Sequence, residues 1–172
     1  MASSKIPTRL IYSVDGTYYM PDGTDRRGHG NISNVYRIYA SIKKGRCFDE
    51  EIKKEFNQEK FYESGIGSAD DLNFFDKAKA GALGQGYKDI IRRIYKKCCT
   101  LEESDEVWLF GFSRGAFIVR AVAGLLHHIG ALQSDEQDFD NVYPESLKQY
   151  VSTDNRPEHG LGQVSQKTSR LL

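Results

Sequence analysis

Short stretches rich in apolar residues alternate along this chain with segments whose apolar positions recur every three or four residues. Arg9-Leu10-Ile11-Tyr12-Ser13-Val14 reads as a first strand, and Lys60-Phe61-Tyr62-Glu63 as a short second one. Val107-Trp108-Leu109-Phe110-Gly111-Phe112 is a nearly continuous apolar run, as expected of a strand buried on both faces. Between them, Val35, Ile38, Tyr39 and Ile42 keep helical spacing behind a cap at Ser33 or Asn34. Tyr87, Ile90, Ile91, Ile94, Tyr95 and Cys98 form the clearest amphipathic stripe, with Arg92, Arg93, Lys96 and Lys97 on the other side. That basic side reads as a solvated face, the alternative being contact with anionic lipid headgroups. From about Arg114 to Ile129 a helix is apolar almost all round, which predicts burial on more than one side, and Gly130 ends it. Residues 134–150 predict a polar helix with Tyr143 and Leu147 facing inward.

The remaining segments carry weaker signals. Residues 18–32 read as a polar, glycine-rich loop, 49–54 as a solvated helix or loop, and 70–80 as a short helix. Gly81 to Gly86 reads as a turn, and the chain from Ser152 onward as loop or disorder. Strands separated by helices predict parallel pairing with right-handed crossovers. The expected fold class is therefore α/β, with a mostly parallel sheet of three or slightly more strands flanked by helices.

The chemistry concentrates at Gly111-Phe112-Ser113-Arg114-Gly115, on the corner between the third strand and the apolar helix. A serine on such a strand–corner–helix turn is a nucleophile elbow, presenting its hydroxyl at the carboxyl end of the sheet. Gly111 and Gly115 keep neighbouring side chains off the crowded corner, and the Arg114 backbone N–H is placed to donate to a developing oxyanion.

Composition narrows the classes without naming one. The 172 residues suit one domain with a modest core, and 24 basic side chains balance 24 acidic ones, so no net field argues for nucleic acid. Three cysteines, two of them adjacent, make neither a disulfide framework nor a spaced zinc site. No metal or cofactor is expected, and the cysteines read as reduced thiols in a cytoplasmic protein. The first residues lack the apolar core of a secretory signal, and no stretch is long enough to span a bilayer.

An ordered series of motifs carries a family likeness. Asp15-Gly16-Thr17 closes the first strand and Asn34-Val35 opens the next helix; Tyr62-Glu63-Ser64-Gly65-Ile66-Gly67 and Gly81 to Gly86 follow. Gly111-Phe112-Ser113-Arg114-Gly115-Ala116-Phe117-Ile118-Val119-Arg120 completes the set. In this order, over about residues 9–132, they resemble the α/β-hydrolase domain of the type VI secretion phospholipase effectors and their fungal and bacterial relatives. The resemblance implies serine-dependent ester or phospholipid hydrolysis, with Ser113 as nucleophile. It implies an oxyanion hole made by the amides of Arg114 and of Gly16 or Thr17. Asp15 is expected near the pocket, with Gly111 and Gly115, as a structural partner.

In α/β-hydrolases the acid and then the base follow the serine on loops after later strands, and this chain offers no convincing later strand. Residues 1–132 therefore read as the N-terminal part of such a domain and 133–172 as a polar helix with a flexible tail, a C-terminally truncated form. His127 and His128 lie on the elbow's own helix, roughly 21 Å from the serine at about 1.5 Å per residue, and are rejected as bases. His159 on the tail, with Asp154 or Glu158 nearby, and His29 on the first loop stay open as candidates. With the later strands missing, one edge of the third strand is expected to lie open, inviting a second chain. A catalytically inactive fragment acting as a binding or regulatory module is the main alternative. Haloacid-dehalogenase phosphatases are similar at Ser13-Val14-Asp15-Gly16-Thr17, but their nucleophilic aspartate is Ser13 here. Gly65-Ile66-Gly67 and Gly84-Gln85-Gly86 lack the remaining residues of a nucleotide loop.

Overall fold

The computed structural model describes residues 5–17, 19–20, 22–24, 31–64, 83–132 and 136–153. Among these residues four strands form one sheet: β1 (Thr8–Val14), β2 (Gly45–Asp49), β3 (Lys54–Glu63) and β4 (Glu106–Gly111), in the order β2-β3-β1-β4. β1 pairs in parallel with both β3 and β4, while β2 and β3 are an antiparallel hairpin. Among the described residues four helices accompany them: α1 (Asn34–Ser41), α2 (Leu83–Cys98), α3 (Arg114–His128) and α4 (Glu136–Thr153). The fold is α/β, with a mixed but mostly parallel sheet. β4 is its outer strand on one side among the described residues.

Residues 50–53 form an exposed turn, as the solvated loop expected over 49–54 requires, but that reading missed the two strands the turn joins. Asp49 ends β2 and Lys54 opens β3, with the turn between them closed by Lys53 at φ 53°. A second correction concerns the glycine-rich stretch before α2: residues 83–86 are already helical. The segment expected as a short helix over 70–80 lies outside the described residues; of the loop expected from Ser152 onward, Ser152 and Thr153 instead continue α4 and the rest lies outside them.

The core follows from strand alternation. Leu10, Tyr12 and Val14 point to one face of β1 and are almost fully buried beneath Ile91, Ile94, Tyr95 and Cys98 of α2. Ile118, Val122 and Leu125 of α3, and Phe139 and Tyr143 of α4, complete the same cluster. α3 is thus gripped by sheet and helices together, as its apolar surface requires. Ile11 and Ser13 alternate with the core residues and are buried on the opposite face. There Arg9 ties three strands, pairing with Asp49 (3.0 Å) and Glu106 (2.7 Å) and lying 4.0 Å over the Phe56 ring.

The basic side of α2 is spent on neighbours. Arg93 reaches Glu63 with two nitrogens, Lys97 pairs with Glu59 at 3.1 Å, and Arg92 pairs with Asp140 of α4. Tyr95, fully buried, donates its hydroxyl to the Gly130 carbonyl at 2.6 Å, fixing the turn where α3 ends at φ 82°. Tyr95→Phe is expected to cost about 1–1.5 kcal/mol, because that carbonyl loses its donor in a shielded place. The check is a lower denaturant midpoint at constant m-value; an unmoved midpoint contradicts the assignment.

Candidate active site

The sheet order sets the location of the site. β1 is central, its two parallel neighbours lie on opposite sides, and the chain reverses direction of travel across it. In open α/β sheets such a switch point leaves a crevice at the carboxyl ends of the strands. Here the register aligns Val14 with Gly111, so the residues that follow β1 and β4 leave the sheet side by side. Asp15-Gly16-Thr17 comes from one and Phe112-Ser113 from the other.

Ser113 sits on the sharp corner expected from its motif. It takes φ 53° and ψ −118°, and its side chain makes no capping bond to the helix that starts at Arg114. A non-glycine residue in that conformation is strained, and it persists only where the surroundings over-determine it. They do so here. Phe112 N–H donates to the Val14 carbonyl at 3.1 Å, locking the corner to β1, and Gly115 N–H closes the turn onto Phe112 O at 2.8 Å. Ser113 itself is exposed.

Both motif glycines are sterically required. A Cβ on Gly115 would lie 2.6 Å from the Val14 carbonyl carbon and 2.8 Å from Asp15 O. One on Gly111 would lie 2.6 Å from Gly115 O. Gly16 closes against the elbow from the other side, where an added Cβ would be 3.1 Å from the Ser113 Cβ. Gly111, Gly115 and Gly16 are thus brought to one place with Ser113.

Asp15 stands next to this corner and is 2% exposed. Its Oδ1 accepts the Gly16 N–H at 2.9 Å, and its Oδ2 accepts the hydroxyls of Tyr62 (2.9 Å) and Ser33. Ser33 is the N-cap of α1 and accepts the Tyr36 N–H at 2.9 Å, so one hydroxyl links the helix start to the carboxylate. Burial, reinforced by the Asp15 carboxylate, pushes the Tyr62 phenol well above its usual range. The sequence pointed to Asp15 and to the Ser33 cap but gave no sign of Tyr62 as their partner.

An apolar rim surrounds the serine. Phe112 and Phe117 are 50% and 61% exposed, unusual for residues of this size. Tyr19 meets the Phe112 ring edge-on at 6.0 Å and Tyr87 meets Phe117 at 6.2 Å.

The other candidates are not gathered here. His127 and His128 are exposed in the last turn of α3, at the far end of the helix from Ser113. His29 and His159, with Asp154 and Glu158, lie outside the described residues. Ser13 is fully buried and its hydroxyl has no partner among the described residues; a serine, not a carboxylate, occupies the position where a haloacid-dehalogenase nucleophile would stand. Cys98 is buried, which pushes its thiol up to about 12 and leaves it inert at neutral pH. Among the described residues no cluster of histidine, cysteine and acidic side chains could hold a metal ion. No described helix is long and apolar enough to cross a membrane.

No curated protein and no solved structure matches the chain. The family model described as T6SS, phospholipase effector Tle1-like, catalytic domain matches residues 8–170, reaching past the stretch over which the motifs alone suggest it. A phospholipase catalytic domain acts on lipid esters, and its α/β-hydrolase-like architecture agrees with the sheet and elbow described above. On that match over nearly its whole length, the chain belongs to the family of Tle1-like phospholipase effector catalytic domains.

Proposed function

We propose that this chain hydrolyses lipid esters through Ser113, with water as final acceptor and without a metal. The carrying observation is Ser113 at φ 53° and ψ −118°, exposed on the corner between β4 and α3, where a Cβ added to Gly16 would be 3.1 Å from its Cβ. Ser113 Oγ attacks the ester carbonyl as its proton passes to a base, and the carbonyl electrons move onto oxygen. The Arg114 N–H, with that of Gly16 or Thr17, holds the resulting oxyanion, each donor contributing about 2.7–4 kcal/mol. Collapse expels the protonated alcohol and leaves an acyl-Ser113 ester, which water then cleaves to the fatty acid. Exposed Phe112 and Phe117 beside the serine support an acyl chain as the group held there. Asp15 is kept as a structural partner of the loop, since among the described residues its carboxylate accepts from the protein's own donors.

The base and its orienting acid are left unassigned. His127 and His128 are too distant, and a serine without a base is a weak nucleophile. The test is fatty-acid release from phosphatidylcholine micelles by the full chain in the presence of EDTA. Release that persists with chelator supports the reading. Absence of release from a folded chain favours the binding-module alternative, and release abolished by EDTA contradicts the metal-free mechanism.

A further inference from the structure

We infer that Asp15 is a positioning residue for this hydrolysis: its carboxylate sets the Gly16–Thr17 backbone so that the Thr17 N–H, not that of Gly16, meets the oxyanion. The inference rests on the reading of Ser113 as nucleophile and resolves what that reading leaves open. A buried carboxylate has to be satisfied by hydrogen-bond donors, and Asp15 takes three, one from each of three elements. Gly16 N–H comes from its own loop, the Tyr62 hydroxyl from the end of β3, and the Ser33 hydroxyl from the cap of α1. The carboxylate is therefore the point at which β1, β3 and α1 are fastened together behind the elbow.

Two consequences follow from the geometry. The Gly16 N–H is directed at Asp15 Oδ1 at 2.9 Å and is already committed. The next amide along, Thr17 N–H, has no acceptor among the described residues. The second consequence is mechanical. Gly16 has no room for a side chain on the elbow's side, since an added Cβ would fall 2.9 Å from Phe112 Cδ1 and 3.1 Å from Ser113 Cβ. Any turn of the Asp15–Gly16 peptide therefore alters the position of the Thr17 N–H relative to Ser113. Misplacement of a catalytic group by about 1 Å is enough to cost about a hundredfold in rate.

The test uses the full chain and the rate at which a fluorophosphonate phosphonylates Ser113, a reaction whose transition state also builds charge on an oxygen in that hole. Asp15→Asn keeps the shape and the acceptor for Gly16 but turns an amide NH2 toward two hydroxyls that now donate. The rate constant per reactive site is expected to fall about 10–100-fold, and Tyr62→Phe, which removes one fastening, to fall less in the same direction. With p-nitrophenyl butyrate as substrate, kcat falls by the same factor while KM stays within about twofold. A residue that only held the fold would reduce the fraction of labelled protein and leave the rate of that fraction unchanged. Phosphonylation of folded Asp15→Asn at the wild-type rate or faster overturns the inference while leaving Ser113 as nucleophile. If Asp15→Asn does not fold, Tyr62→Phe decides by the same criterion. A wild-type chain that takes no label at Ser113 overturns the nucleophile reading, and the role of Asp15 with it.

Discussion

Ser113→Gly is expected to lower lipid-ester hydrolysis by about 10⁴-fold or more while raising the melting temperature. Removing the hydroxyl removes the attacking atom, so no acyl-enzyme forms and only binding and oxyanion stabilisation remain. The stability gain has a separate cause. At φ 53° and ψ −118° a side chain is strained, by about 1–3 kcal/mol, and glycine is not. Glycine also loses more backbone entropy on folding, which takes back about 0.5–1 kcal/mol. The serine side chain makes no capping bond that would be missed. The balance is a gain of about 1 kcal/mol, or about 2–4 °C in a chain of this size. Ser113→Ala keeps the strain and should be equally inactive without the gain. Melting curves of the two variants against wild type check this; a glycine variant less stable than the alanine one contradicts the strained-corner account.

The largest loss of stability is expected at Gly115. Its missing Cβ would fall inside the radius of the Val14 carbonyl oxygen, 2.6 Å from Val14 C and 2.8 Å from Asp15 O. These are backbone atoms of the central strand and cannot rotate away as a side chain can. To admit a methyl group, α3 has to move off β1, opening the contacts of Val14 and Ile118 with their cluster. Gly115→Ala should therefore cost about 3 kcal/mol or more, at the upper end for overpacking. Gly45 provides the comparison. It has φ 94° but nothing within 4 Å of an added Cβ, so Gly45→Ala carries conformational strain alone, about 1–2 kcal/mol. Denaturant unfolding of both variants measures the difference, and equal losses would contradict the close-contact argument.

The elbow was legible because every device that makes it is local. An apolar strand, a serine flanked by glycines and an apolar helix occupy about twenty consecutive residues, and they fold against one another. The stripe on α2 and the all-round apolar surface of α3 were legible for the same reason, since 3.6-residue periodicity reports burial directly. The β2–β3 hairpin was not. Gly45-Arg46-Cys47-Phe48-Asp49 forms an outer strand with no fully buried residue, and Phe48 is 52% exposed, so little apolar pattern marks it. Of β3 only the last four residues carry a strand pattern, because Lys54 to Glu59 is polar apart from Phe56. The start of α2 was hidden by its glycines, which are weak helix formers.

The candidate site was legible in a similarly uneven way. Ser113, Gly16 and Asp15 could be placed together because parallel strands put their carboxyl ends at one edge. The grip on Asp15 could not be foreseen, as its partners lie 18 and 47 residues away in sequence, one on the cap of α1 and one on β3, and meet only in the folded chain. Nor does a motif say that Gly16 N–H turns back onto the preceding carboxylate. That is a matter of one peptide plane, and it decides which amide is left for the substrate.

The central claim is that the hydroxyl at position 113 is an activated nucleophile. It is tested most directly by incubating the full chain with a fluorophosphonate and locating the adduct by peptide mass spectrometry. The account predicts one phosphonyl group, on Ser113, and none on Ser113→Ala. A folded chain that remains unmodified, or one modified equally in both proteins at another residue, would contradict it.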